Sequence, residues 1–251
     1  MSEAREEILL EEVRDTWGVI RVLEVGDYRF LEFGEAIEQS CTYTRDPAWL
    51  EYDYTRAMLL GALCHEAPEN ALFLGLGGGT LTQACLKFLE LEDVEAIELR
   101  PDVPRLAMQY LGLADDPRLY VRIGDALELL DSAEGCDLLF VDLYTDTGPA
   151  PGHLAWKFLE NCQKRLSPGG WLVINQWGND DGKPLGAALL RGLFHRHYWE
   201  IPVKEGNVIL LVPADLDQPL NFDALTARAE ALAPRLGYSL QPLLDVLRPA
   251  S

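Results

Sequence analysis

Between residues 17 and 44, apolar and polar side chains alternate in WGVIRVLEV and DYRFLEFG, with Gly26-Asp27 between the two runs. Successive side chains of an extended chain face opposite sides, so this period of two predicts a β-hairpin, followed by a further short strand. Asp46-Pro47 is a turn signal. Beyond it, in LEYDYTRAMLLGAL, Leu50, Tyr54, Ala57, Met58 and Leu63 recur near helical spacing.

From residue 70 the pattern changes to short, nearly continuous apolar runs separated by helical stretches. Strands buried on both faces read this way, so the pattern predicts parallel strands joined by crossover helices. Strands are expected at 71–76, 94–99, 119–123, 136–142 and 171–176. Helices are expected at Thr80–Glu90, Asp102–Leu111 and Leu154–Leu166, the last closing at the turn Ser167-Pro168-Gly169-Gly170. A helix from Leu185 to His195 and two strands, YWEIPV and NVILLVP, joined through Gly206 complete the sheet. In the tail, Leu225, Ala229, Leu232 and Leu236 form an amphipathic stripe that Pro234 is expected to kink or break. The expected fold is α/β: a Rossmann-like, mostly parallel seven-stranded sheet with a small N-terminal β-hairpin module. The divisions are 1–66 (β module and connecting helix), 67–214 (nucleotide-binding domain) and 215–251 (helical tail).

Composition narrows the chemistry. Forty-one Asp and Glu against 21 Lys and Arg give a net charge of −20, which repels a phosphate backbone and argues against nucleic acid as a partner. No run approaches the roughly 20 apolar residues of a membrane helix, and MSEAREEILLEEVRD is acidic where a signal peptide is basic and then apolar. The expectation is a cytoplasmic protein without membrane contact. The five cysteines are scattered and form no Cys-x-x-Cys pair, so neither a disulfide framework nor a zinc site is expected. Of the four histidines only His195 and His197 are close, at a spacing that faces opposite ways, and no metal is expected.

Gly75-Leu76-Gly77-Gly78-Gly79 falls between the first parallel strand and its helix. A glycine loop there lets backbone N–H groups and the helix N-terminus approach a ligand. A dinucleotide fingerprint counted from Gly75 requires glycine at position 80, where this chain has Thr80, which argues against NAD. Glu98 ends the next strand, where an acid can accept hydrogen bonds from both ribose hydroxyls. Gly124-Asp125-Ala126 ends the third strand; Asp125 either accepts from an adenine amino group or caps the following helix. Together these residues predict an adenosyl-type ligand.

Gln39-Ser40, LEYDYTRAMLLGAL, LFLGLGGGTL, AIELRPDV, IGDALELL, CDLLFVDLYTD, PGHLAWKFL and LSPGGWLVINQW occur in an order that resembles the spermidine synthase (aminopropyltransferase) family, in its divergent bacterial branch. The resemblance implies transfer of an aminopropyl group from decarboxylated S-adenosylmethionine to a small amine in polyamine biosynthesis, in a homodimer or higher homo-oligomer. It implies that Asp142 is the catalytic carboxylate. Gln39, Gly75, Gly77, Gly79, Glu98, Asp125 and Ala126 would hold the nucleoside, and Tyr54, Tyr144 and Asp146 the acceptor side. Leu143 to His153 resembles a gatekeeping loop.

Two positions depart from the family pattern. Gly77 stands where an aspartate is usual in the loop, and Tyr54-Thr55-Arg56 replaces Tyr-His-Glu. Fewer negative groups and one added cation near the ligand tail favour a carboxylate there. The departures therefore raise S-adenosylmethionine itself as donor, with a small-molecule methyltransferase as the second reading. A non-catalytic homologue is the third.

Overall fold

The computed structural model describes residues 6–34 and 37–250; residues 1–5, 35, 36 and 251, parts of the acidic N-terminus, of the alternating stretch and of the tail, lie outside them. The N-terminal module is an antiparallel sheet of β1 (Glu7–Asp15), β2 (Gly18–Val25), β3 (Tyr28–Phe33) and β4 (Ile37–Tyr43), paired in chain order. The sequence reading lacks β1. That strand is acidic, lies at the sheet edge with Ile8 and Leu9 exposed, and carries a register shift between Leu9 and Glu11 that breaks its period.

Helix α1 (Asp53–Ala62) leads into the larger sheet. The strands β5 (Asn70–Leu74), β6 (Asp93–Glu98), β7 (Leu119–Ile123) and β8 (Cys136–Val141) alternate with helices α2 (Thr80–Phe88), α3 (Asp102–Tyr110) and the one-turn α4 (Ala126–Leu129). The two-residue strands β9 (Tyr144–Thr145) and β10 (Gly148–Pro149) form a miniature hairpin in the loop after β8. Helix α5 (Trp156–Lys164), β11 (Leu166–Trp177), α6 (Ala187–Phe194), β12 (Trp199–Pro202) and β13 (Asn207–Pro213) follow. The chain closes with α7 (Phe222–Leu236), α8 (Gln241–Val246) and β14 (Arg248–Pro249).

The order across the large sheet is β14-β12-β13-β11-β8-β5-β6-β7. From β7 to β11 the strands are parallel, and β11–β13, β13–β12 and β12–β14 are antiparallel pairs, so the expected seven strands gain a two-residue edge strand. Alternate residues feed two cores. Phe73, Phe140, Val173 and Leu211 pack beneath α1, α2, α7 and the N-terminal sheet; Leu74, Val141, Ile174 and Leu210 pack beneath α5 and α6. The rings of Phe73 and Phe140 stack at 4.5 Å between centroids. At Gly61 of α1 an added Cβ would lie 2.7 Å from Leu211 and 2.9 Å from Val173, so only glycine lets this helix lie so close to β11 and β13.

Two local expectations are corrected. Ser167-Pro168-Gly169-Gly170 does not precede the strand but bulges within it, because Leu166 already pairs with Cys136 before Trp171 pairs with Leu138. Pro234 does not break α7, which runs on to Leu236 and ends at Gly237, where φ is +79°. Near a C-terminus, one missing N–H and one ring clash are absorbed by the burial of Leu232 and Leu236. Among the described residues no helix is long and apolar enough to cross a membrane.

Candidate active site

β5 comes first among the parallel strands, β6 is added on one side of it and β8 on the other. This reversal makes β5/β8 a topological switch point, where the loops leaving neighbouring strands part and open a crevice. A cleft of about 850 Å³ lies there, lined from the loops after β5, β6, β7 and β8, from β4 and α1, and by Asn175 of β11 and Asn207 of β13.

Pairing of Leu74 with Val141 sets Gly75 beside Asp142. A Cβ at Gly75, whose φ is +92°, would overlap the Asp142 carbonyl oxygen, so glycine is required for the two loops to leave the sheet together. Gly79 caps α2 at φ +75°. Gly77 sits at φ +55°, and a Cβ there would come within 2.8 Å of the Ser40 hydroxyl oxygen, which accepts the Gly78 N–H at 2.8 Å. Where the family pattern has a loop aspartate, Ser40 of β4 fills the space.

Glu98 is buried beneath the loop. Its Oε2 accepts from the Leu76 N–H at 3.0 Å and the Gly77 N–H at 3.4 Å, and Oε1 from the Arg100 N–H at 3.0 Å. Burial raises its carboxyl above the usual range despite these bonds. Asp125 caps α4 through Oδ1, which accepts the Leu127 N–H at 2.8 Å, and it also lines the cleft beside Ala126. Its two sequence readings are therefore compatible: one oxygen serves the cap.

Asp142 is recessed at the end of β8. Burial pushes its carboxyl up to about 6, opposed by a hydrogen bond from Asn175 Nδ2 at 2.8 Å. The phenols of Tyr54 and Tyr144, which share its surroundings, are raised by burial and then by the Asp142 charge. Glu38, which accepts a hydrogen bond from the Tyr52 hydroxyl, is pushed up to about 7 by burial and then by Glu32. The loop over the cleft is anchored at its far end by His153: its Nδ1 lies 2.6 Å from the Ala150 carbonyl and must donate, leaving Nε2 to accept from Gln176 Nε2 at 3.1 Å.

The fold brings Gln39, Tyr54, Gly75, Gly77, Glu98, Asp125, Ala126, Asp142, Tyr144 and Asp146 to this one cleft, and Gly79 to the start of α2 behind it. Arg56 is the exception. Its Nε donates to the Leu50 carbonyl at 2.7 Å, one terminal nitrogen lies 3.4 Å from Asp53, and the guanidinium covers the Tyr238 ring at 4.3 Å from its centroid. It faces the C-terminal tail and adds no cation to the ligand tail, which overturns the expectation drawn from it. On a helix, the residue two after Tyr54 points away from the face that carries Tyr54.

Residues that sequence reasoning passed over complete the cleft. Arg100 makes two bonds of 2.8 and 2.9 Å to the Asp15 carboxylate, donates to the Gly18 carbonyl, and lies over Phe33, locking the β1–β2 turn and the cleft-lining Trp17 against the Glu98 loop. Asn175 and Asn207 had no signal beyond membership of strands; their roles come from register. The lining carboxylates are Glu38, Glu51, Glu98, Asp125, Asp142, Asp146 and Glu205, and the lining cation among the described residues is Arg100, already paired with Asp15.

Known proteins resemble this chain in sequence and in fold. A polyamine aminopropyltransferase of Vibrio vulnificus is 30% identical over 240 residues, spanning 91% of this chain and 79% of its own length. A probable spermidine synthase from Corynebacterium glutamicum superposes with a TM-score of 0.71 at 20% identity, over 87% of this chain and 86% of that one. Human methyltransferase-like protein 13, solved in complex with SAH, superposes with a TM-score of 0.64 at 25% identity, over 74% of this chain and 92% of that one. The spermine/spermidine synthase domain profile matches residues 52–179, from the start of α1 past the end of β11. With the glycine loop, Glu98 and Asp142 in one cleft of this fold, the chain belongs to the spermine/spermidine synthase family.

Proposed function

We propose that this chain is a polyamine aminopropyltransferase whose donor is decarboxylated S-adenosylmethionine and whose acceptor is a small di- or polyamine. The observation that carries the reading is the charge of the cleft: seven carboxylates, named above, against one arginine that Asp15 already neutralises. Such a cleft attracts a donor tail ending in an ammonium and a polycationic acceptor, and repels the carboxylate of S-adenosylmethionine. The nucleoside lies on the glycine loop, with its ribose hydroxyls donating to Glu98 and its adenine amino group to the free edge of Asp125. Tyr54, Tyr144 and Asp146 flank the acceptor.

In the reaction the lone pair of an unprotonated amine attacks the carbon beside the sulfonium. The new C–N bond forms as the C–S bond breaks, its electron pair returns to sulfur, and methylthioadenosine leaves. Asp142 accepts the hydrogen bond, and then the proton, of the attacking nitrogen. Its raised proton affinity makes it a better acceptor than an exposed carboxylate.

Incubation with each donor and a panel of di- and polyamines, followed by mass spectrometry of the nucleoside, tests the reading. Methylthioadenosine is expected with the decarboxylated donor. Release of S-adenosylhomocysteine from the native donor would support the methyltransferase reading instead, and no nucleoside release from either would sink both.

Glu98→Gln is expected to weaken methylthioadenosine binding about tenfold by calorimetry. A glutamine offers one acceptor oxygen where the Leu76, Gly77 and Arg100 N–H groups converge on two, so either the loop or the Arg100 turn loses its partner.

A further inference from the structure

Asp142 directly follows β8, and Asn175 and Asn207 stand on β11 and β13, the next two strands of the sheet. Val141 pairs with Ile174, which sets Asn175 beside Asp142, and Asn175 pairs with Ile209, which sets Asn207 two residues along β13 on the same face. Asn207 Nδ2 lies 2.8 Å from Asn175 Oδ1, and Asn175 Nδ2 lies 2.8 Å from Asp142 Oδ1. One donor–acceptor assignment satisfies the row: Asn207 donates to Asn175, which donates to Asp142. The Tyr144 hydroxyl adds longer contacts, 3.4 Å to the Asn175 carbonyl and 3.5 Å from Asn207 Nδ2.

The two ends of an asparagine amide are nearly the same shape, and a carboxylate can only accept from the groups around it. If Asn175 turned over, its Oδ1 would face Asp142 oxygen to oxygen. We propose that Asn207 is a positioning residue that holds the Asn175 amide with Nδ2 toward Asp142, and so fixes the orientation of the carboxylate that meets the attacking amine. The inference rests on Asp142 being that carboxylate. Other groups facing the same space are the phenols of Tyr54 from α1 and Tyr144 from β9, and the cleft carboxylates Glu38 of β4, Glu51, Asp146 and Glu205.

The test is the pH profile of kcat/KM for the amine in single and double variants. Asn207→Leu removes the orienting donor without adding charge. It is expected to lower kcat about tenfold and move the acidic limb upward by about one pH unit, with methylthioadenosine affinity unchanged. Asn207→Asp, nearly isosteric, can only accept, so Asn175 turns to donate to it and the limb moves further in the same direction. In an Asn175→Leu background neither substitution at 207 has a relay to disturb, so Asn207→Leu is expected to change nothing more. An Asn207→Leu enzyme with an unmoved limb, or one whose loss is the same in both backgrounds, would overturn the inference. Failure of the underlying reading looks different: Asp142→Asn would then keep both transfer and the acidic limb.

Discussion

Asp142→Asn is expected to lower kcat/KM for transfer about 10²- to 10⁴-fold, the usual contribution of a positioned proton acceptor, while methylthioadenosine binds as in the wild type. An amide keeps the shape of the carboxylate and its bond to Asn175 can be remade by rotation, so the loss isolates the proton-accepting role. The wild-type pH dependence has a definite sign. Burial raises the Asp142 carboxyl to about 6; the ionised form is the active one, so kcat/KM falls as pH drops through 6, tenfold per pH unit well below it. The limb and most of the activity vanish together in the variant. Steady-state rates from pH 5 to 9, with calorimetric titration of methylthioadenosine as the control, check both halves. Retained transfer would remove Asp142 from the mechanism.

Arg100→Met is expected to cost about 3–5 kcal/mol of stability, because it leaves the Asp15 carboxylate buried without its partner. The pair is 5% and 11% exposed, side chain by side chain, and joins the β1–β2 turn to the residue two past Glu98. Burial by itself raises Asp15, but Arg100 and the Trp17 N–H together hold it below its ordinary value of 3.8. A depressed carboxyl contributes stability above its unfolded value and loses it as pH falls through the folded one. Without Arg100 the burial effect, the largest of these, is opposed only by backbone hydrogen bonds such as that from the Trp17 N–H, and Asp15 rises, so the variant recovers as the acid protonates. The gap between wild type and variant, measured by urea denaturation, is therefore widest near neutral pH and narrows toward pH 4. A gap that stayed constant across that range would mean that Asp15 is not the group left stranded. Nucleoside affinity is also expected to fall, since the Arg100 side chain, through Asp15 and the Gly18 carbonyl, fixes the turn that carries Trp17 at the cleft.

The central parallel strands were legible in the sequence because a strand covered on both faces must be apolar nearly throughout, as in β5 and β8, which agree with the expected runs within two residues at their ends; the run at 119–123 is β7 to the residue, although that edge strand is half exposed. The glycine loop, Glu98 and Asp142 were legible for a related reason. In a doubly wound sheet a residue at the carboxyl end of a strand is carried to the crevice whatever surrounds it, so local position alone implies the site. β1 was not legible, since an acidic edge strand with a bulge has no clear period, and neither was the β11 bulge, since Ser-Pro-Gly-Gly has the composition of a turn wherever it sits.

The departures at Gly77 and Arg56 show where local reading stops. Both were visible as substitutions, yet their consequence depended on direction in space. The space at Gly77 is filled by Ser40 from another sheet, and the Arg56 side chain is drawn to Tyr238 and Trp49, the former far along the chain. Sequence alone determined the fold class and that Gly75, Glu98, Asp125 and Asp142 reach one cleft, because the pattern of strands and helices sets the first and position at a strand end sets the second. The sign of the charge around the ligand tail and the orientation of Asp142 through Asn175 and Asn207 were decided only by tertiary structure, because hydrogen bonds and Coulomb forces act between groups that strand register and packing bring within a few ångströms.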